Sequence, residues 1–315
     1  MEFRHCGLYF ATEQIDYARK HRKESPFREA WNMLLNTEIP EPLAALQWGG
    51  LRFRFADNLA AGRAVLPILN ESMFSAMVYE VLLSHPAEYR DAMRGMMTLA
   101  HCFELLRDHP AYPRADQEQW LEIFSGYVDN LRVQVHEPTT LETIWLGALN
   151  VIAGIVLERV GWFETGVAIY RHAIGDVIHQ DGYLLGVANT GDGWGFENQI
   201  SAITALVLTA EAAGHVGVDL WSYNVHDVSI STAVAYPLAY YSQPEKWPWD
   251  TGLHETDVTR ICRHCCGFLE IVNRHHEETL KSIKPILAGL RPVYECHGGG
   301  LTTLSHALVK RLFFK

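Results

Sequence analysis

Residues 93–131, MRGMMTLAHCFELLRDHPAYPRADQEQWLEIFSGYVDNL, decide the fold class. Met93, Met96, Met97, Ala100, Phe103 and Leu106 recur at helical spacing, and Trp120, Ile123, Phe124, Tyr127, Val128 and Leu131 repeat the pattern. Each series forms one broad apolar stripe, the face a helix turns toward a core. Pro110 and Pro113 separate them, because proline interrupts helical hydrogen bonding. Upstream, Glu71–Leu83 carries the same stripe after Pro67 and before Pro86. Further helices are predicted over Thr140–Arg159, Phe163–His179, Glu197–Ala213, Ser229–Tyr241, Glu255–Arg274 and Leu301–Phe313. An earlier one covers Pro26–Leu35, with Ser25 as its cap and Pro26 in its first turn. Gly161 and Gly214 sit where helices end through a positive backbone angle. With about ten helices and little strand alternation, the reading is all-α.

The 315 residues, 48% of them hydrophobic and 20% charged, suffice for a large core and exclude a disordered chain or a cysteine-stapled module. Net charge is 26 − 37 = −11, which repels nucleic-acid phosphates, so no nucleic-acid partner is expected. Residues 251–315 depart from this with nine basic and six acidic side chains, leaving room for a local anion site. The apolar stretch Ile144–Leu157 is too short to cross a bilayer and contains Asn150, so no membrane span is expected. MEFRHCGLYF lacks a signal peptide's apolar region, which fits a cytoplasmic protein or a mature exported one. Oligomeric state has no sequence signature here.

The main interruption of the helical pattern is QDGYLLGVANTGDGWGFE, residues 180–197. Its two DG pairs imply turns, and the segment suits a ligand-facing loop. Gly191, Gly193 and Gly195 follow no strand and do not form a nucleotide loop.

Three segments carry a family resemblance. The opening GLYFATEQIDYARKHRKESPFREAW, the stretch IHQDGYL and the later ALVLTAEAAGHVGVDLW together resemble alginate-lyase-like and heparinase-like helical domains over roughly residues 7–250. The resemblance implies an incomplete (α/α) toroid of about five or six antiparallel helix pairs around a cleft. A single helical toroid domain is expected over 1–315, including a His/Cys-containing C-terminal region at 251–315. The resemblance also implies a polysaccharide lyase that cleaves an acidic, uronate-containing glycan and needs no cofactor. The family's asparagine–histidine pair before a tryptophan corresponds here to TTLETIW, where Glu142 takes the histidine's place ahead of Trp145. Where the family has a later tyrosine, this chain offers Phe196 and Asn198.

β-Elimination needs a neutralised sugar carboxylate, a base for the C5 proton and an acid for the departing O4. His136 is a candidate base, and Glu142 can orient it or transfer a proton. Asn198, Tyr241 and His254 are further catalytic candidates, the last two by reaching the cleft from later segments. Arg132 suits a planar carboxylate, although Tyr127 and Leu131 share the inward side of its helix more readily. Tyr183, Asp192, Trp194, Glu197 and Tyr223 complete the substrate-binding candidates, with Trp194 suited to stacking on a sugar ring. For each, packing, capping or turn stabilisation is the competing explanation.

Two alternatives use the same residues. Asp181 or Asp192 paired with Glu197 or Glu142 would suit a glycoside hydrolase. A non-catalytic carbohydrate-binding toroid would keep Trp194 and Tyr223 without aligned proton-transfer groups. Cys262, His264, Cys265, Cys266, His275, His276, Cys296 and His297 form no standard zinc motif, so no metal is expected and partly buried thiols are the simpler reading.

Overall fold

A computed structural model describes residues 3, 5, 7–78, 86–134, 138–250, 252–276 and 281–309. Among them are fourteen α-helices: α1 (Thr12–Lys20), α2 (Phe27–Asn36), α3 (Pro42–Ala56), α4 (Leu59–Val78), α5 (Pro86–Leu106), α6 (Arg114–Gln134), α7 (Thr140–Val156), α8 (Val160–His172), α9 (Gly195–His215), α10 (Ile230–Ala239), α11 (Glu255–Cys265), α12 (Phe268–His276), α13 (Ile283–Leu290) and α14 (Thr302–His306). Only isolated β-bridges occur between described residues, at 178/184, 225/228 and 295/300. No described helix is long and apolar enough to cross a membrane.

The helices form two layers of an incomplete toroid. α3, α5, α7, α9 and α12 touch in succession as the inner row. α4, α6, α8 and α10 lie on the backs of α3, α5, α7 and α9. Burial explains the order. α7 and α9 are apolar or small nearly all round and are buried along most of their length, as a helix covered on every side must be. α6 buries only its stripe of Trp120, Phe124, Val128 and Leu131. Trp120 stacks between Phe103 and Phe124 at 4.2 and 4.9 Å, joining the two stripes that open the sequence reading. α7 and α8 approach backbone to backbone: a Cβ on Gly154 would lie 2.5 Å from the Phe163 nitrogen, and one on Gly166 2.5 Å from the Gly147 oxygen. The C-terminal part is bound into the ring. α12 packs on α9, and α14 reaches α1, α2 and α12.

Several boundaries differ from the periodic reading. Pro67 lies inside α4 rather than ahead of a helix, with Val65, Leu66 and Leu69 buried around it. Pro26, not Ser25, precedes the first residue of α2, and no side chain caps it. Gly161 and Gly214 lie within α8 and α9; left-handed residues follow α7 at Glu158 and α9 at Gly217. The single helix expected over Glu255–Arg274 is two, broken around Cys266 and Gly267. There the Gly267 N–H donates to the Glu295 carboxylate at 2.7 Å instead of continuing the helix. α1, α3 and α13 were not anticipated, and the last helix covers only Thr302–His306 of the expected Leu301–Phe313. Residues 79–83 of the Glu71–Leu83 segment and 310–313 of the last one lie outside the described residues.

Candidate active site

The inner row leaves a cavity of about 200 Å³ where α5, α7, α9 and α11 converge. α5 contributes Arg90, Asp91 and Arg94, and α7 contributes Trp145. Glu197, Asn198, Ser201 and Thr204 come from α9, Cys265 from α11, and Glu295 from the turn after α13. Helical spacing accounts for the set: Arg90 and Arg94 are four residues apart, as are Glu197 and Ser201, so each pair shares one face.

The start of α9 is tied down. Asp250 Oδ2 accepts from the Phe196 N–H and from Trp247 Nε1, both at 3.0 Å. Gln199 grips the preceding loop, donating to the Gly182 carbonyl at 3.0 Å and accepting from the Leu184 N–H at 2.9 Å. Trp145 is oriented by its indole N–H, which donates to Ser201 Oγ at 3.0 Å. Arg94 lies over that indole at 5.7 Å and 3.5 Å from Asp91, yet its buried Nε has no hydrogen-bond partner among the described residues. Arg90 stands 3.7 Å from Glu142, and Arg260 3.9 Å from Glu197.

Burial sets the protonation states. Burial pushes the Glu295 carboxyl up from 4.5 to about 7, with the Gly267 N–H and the Arg94 charge opposing it. It pushes the Cys265 thiol up to about 12, so that sulfur stays protonated at neutral pH. His297, bonded through Nδ1 to Thr98 Oγ1 at 2.8 Å, is pushed down to about 4 by burial and by Arg94, and is neutral.

Of the catalytic and substrate-binding candidates singled out from sequence, Glu197 and Asn198 line this cavity, together with Cys265 from the His/Cys set. Glu142 lies behind Arg90 at the start of α7. Its Oε2 accepts from the Thr139 N–H at 2.9 Å as part of a capping box, while its buried Oε1 has no hydrogen-bond partner among the described residues. Asp192 accepts from Thr190 Oγ1 and the Trp194 N–H, closing the turn before α9, and the Trp194 bond holds its carboxyl below the usual range. Trp194 is 58% exposed immediately ahead of α9.

The others sit elsewhere in contacts of their own. Tyr183 packs with His179 and Trp249 at 4.5 and 4.9 Å. Tyr241 lies near α11, its phenol raised first by burial and then by Cys262 and Cys266. His254 is the exposed residue ahead of α11, its N–H donating to Asp257. Arg132 lies over Trp162 at 4.5 Å, and Tyr223 under Arg171 at 5.6 Å. His136 falls outside the described residues. No group of three His, Cys, Asp or Glu among the described residues is arranged to hold a metal ion.

Arg90, Arg94 and Glu295 were not anticipated. The arginine pair had a signal, two cations at i and i+4 interleaved with the buried Met93 and Met97 of an inner helix. Glu295 had none, because only the closing of the ring brings it to the cavity.

Fold and family place the chain among the polysaccharide lyases. A family model for alginate lyase matches residues 80–247, more than half of the chain, and the protein belongs to that family. Its fold is similar to that of alginate lyase A1-III from Sphingomonas species A1, with a TM-score of 0.76, 15% identity and 97% of each chain covered. A variant of A1-III in complex with a tetrasaccharide gives 0.75 at 15% identity, covering 94% of this chain and 95% of that one. An alginate lyase from Bacteroides ovatus gives 0.71 at 12% identity, covering 96% and 99%. A search of curated proteins found no match.

Proposed function

We propose that the protein cleaves an acidic, uronate-containing glycan by β-elimination in the cavity between α5, α7 and α9. The observation that carries this reading is the Arg90–Arg94 pair facing Glu197 and Asn198 across a space suited to a sugar residue. Elimination at C4–C5 builds negative charge on the carboxylate side of the ring, and a guanidinium fork answers that charge with two parallel donors. Arg94 suits this role because its side chain lines the cavity and its nearest carboxylate, Asp91, stands 3.5 Å away. Asn198, one residue past Glu197 on the same wall, has an amide able to donate to the carboxylate or to a ring hydroxyl. Trp194, exposed ahead of α9, offers a stacking face for a neighbouring sugar. Glu142 holds Arg90 in position rather than meeting the sugar.

Product analysis tests the proposal. Incubation with a panel of acidic and neutral glycans is expected to give fragments from the acidic ones alone. Their masses should sum to that of the substrate, and one should carry the ultraviolet absorbance of a conjugated double bond. Fragments that have gained water would overturn elimination in favour of hydrolysis between the Glu197 and Glu295 carboxyls.

A further inference from the structure

We propose that Glu295 is the proton-transfer group of the site, taking the C5 hydrogen and handing it to the departing O4. This rests on the elimination reading above. It supplies the group missing where Glu142 and Asn198 stand in place of the family's histidine and tyrosine.

The chain is built around this carboxyl. Glu295 begins a tight turn closed by two backbone bonds with Gly300, at 3.0 and 2.9 Å. Two glycines make space for its head. A Cβ at Gly298 would collide with Cδ, and one at Gly267 would lie 2.9 Å from Oε2. Gly267 also gives its N–H to Oε2 at the break between α11 and α12. The side chain is buried, yet it lines the cavity.

The titratable groups around it are Arg94 and Asp91 from α5, Glu197 from α9, Cys265 from α11, Cys266 at the helix break, and Cys296 and His297 next to it in sequence; burial raises the Cys266 and Cys296 thiols, so both stay protonated. Among the described residues no cation forms an ion pair with Glu295, whereas Glu197 has Arg260 and Glu142 has Arg90. Cys265 and His297 are held in their neutral forms, as described above. The Glu295 carboxyl, with its proton balanced near neutrality, can both take and return one.

The step balances. The C5–H bond breaks, its proton goes to a Glu295 oxygen, and the electron pair becomes the C4–C5 double bond. The C4–O4 bond breaks with its pair on oxygen, which then takes the proton from Glu295. The carboxylate is regenerated beside an unsaturated uronate and a fragment ending in a hydroxyl. Arg90 and Arg94 hold the charge that builds on the sugar carboxylate during the transfer.

The test is Glu295→Gln, assayed with an acidic oligosaccharide that the wild type cleaves. We expect kcat to fall about 10³-fold, within the range of a lost acid–base group, while oligosaccharide affinity by calorimetry stays about the same. The wild-type kcat should show a pH limb near 7 that the residual activity of the variant lacks. Gly298→Ala keeps the carboxyl but displaces it, so an intermediate loss of kcat is expected. If Glu295→Gln does not fold, Gly298→Ala and the wild-type pH profile carry the test. Wild-type cleavage with undiminished kcat in the variants overturns the role of Glu295 and leaves the elimination reading standing. A wild type that forms no unsaturated product from any acidic glycan overturns both.

Discussion

The two ends of α9 each bring a buried glutamate and a cavity together, and they treat the carboxylate in opposite ways. Near the C-terminal end, Glu211 accepts from Trp221 Nε1 at 3.1 Å, from His275 Nε2 at 2.6 Å and from His306 Nε2 at 3.2 Å, with His215 3.3 Å away. Trp221 also stacks on His275 at 4.1 Å, locking that donor in place. Burial alone would raise this carboxyl, but the bonds from His275 and His306, with His215 beside them, hold it well below the usual range. Toward the N-terminal end, the cavity holds Glu295 with, among the described residues, one backbone donor to its carboxylate and no paired cation. The space beside Glu211 is the larger, about 620 against 200 Å³. On the proposed assignment, the larger cavity is not the reactive one. A carboxylate whose acceptor sites are filled keeps a fixed charge and serves structure, while one left poorly answered keeps its proton available.

The contrast can be broken most sharply at Glu211. Glu211→Ala should cost about 3 kcal/mol in urea unfolding, because it strands the buried His306 imidazole and the Trp221 indole N–H, while the partly exposed His215 and His275 can turn to water. Glu295→Gln, which keeps the shape and an acceptor, should cost about 1 kcal/mol or less below pH 4.5, where both side chains are uncharged. A Glu211 variant as stable as the wild type would erase the distinction.

Opposite pH dependences follow from the two shifts. The depressed Glu211 contributes stability that is present above the ordinary carboxylate pKa and is lost as pH falls through its folded value. The raised Glu295 contributes stability that is present below 4.5 and is lost as pH rises through about 7. Between pH 5 and 8, Glu295→Gln should therefore gain on the wild type, by on the order of 3 kcal/mol at 1.36 kcal/mol per pKa unit. Denaturant titrations at several pH values measure the difference, and a constant gap would contradict it.

Smaller effects sharpen the substrate side. Arg94→Met should lower kcat/KM on an acidic glycan by about 10- to 100-fold, the loss of one charged hydrogen bond of ~1.5–3 kcal/mol. It should also move the Glu295 pH limb upward, because Arg94 opposes the burial effect there. Trp194→Ala should leave stability within about 0.5 kcal/mol and raise KM modestly, since the ring is exposed.

Local sequence carried the fold further than the site. The stripes on α5 and α6 and the apolar run of α7 reflect 3.6-residue periodicity, which each helix shows by itself. Glu197 and Asn198 were legible because they open a helix directly after a turn-rich loop. The break at Gly267 was hidden, since Val258, Ile261, Cys262, Leu269 and Val272 continue an apolar pattern across it. What stops that helix is a carboxylate 28 residues further on. Arg90 and Arg94 read as solvated charges until the neighbouring helices are in place. Glu295 and its glycines meet only through tertiary closure, which no window of sequence contains.

A crystal structure of the Glu295→Gln variant with an acidic oligosaccharide would show whether the sugar meets this carboxyl position. The sugar carboxylate is expected against Arg90 and Arg94, with the C5 hydrogen directed at the residue 295 side chain. An oligosaccharide seated instead beside Glu211 and Trp221, with the arginine pair unengaged, would contradict that placement.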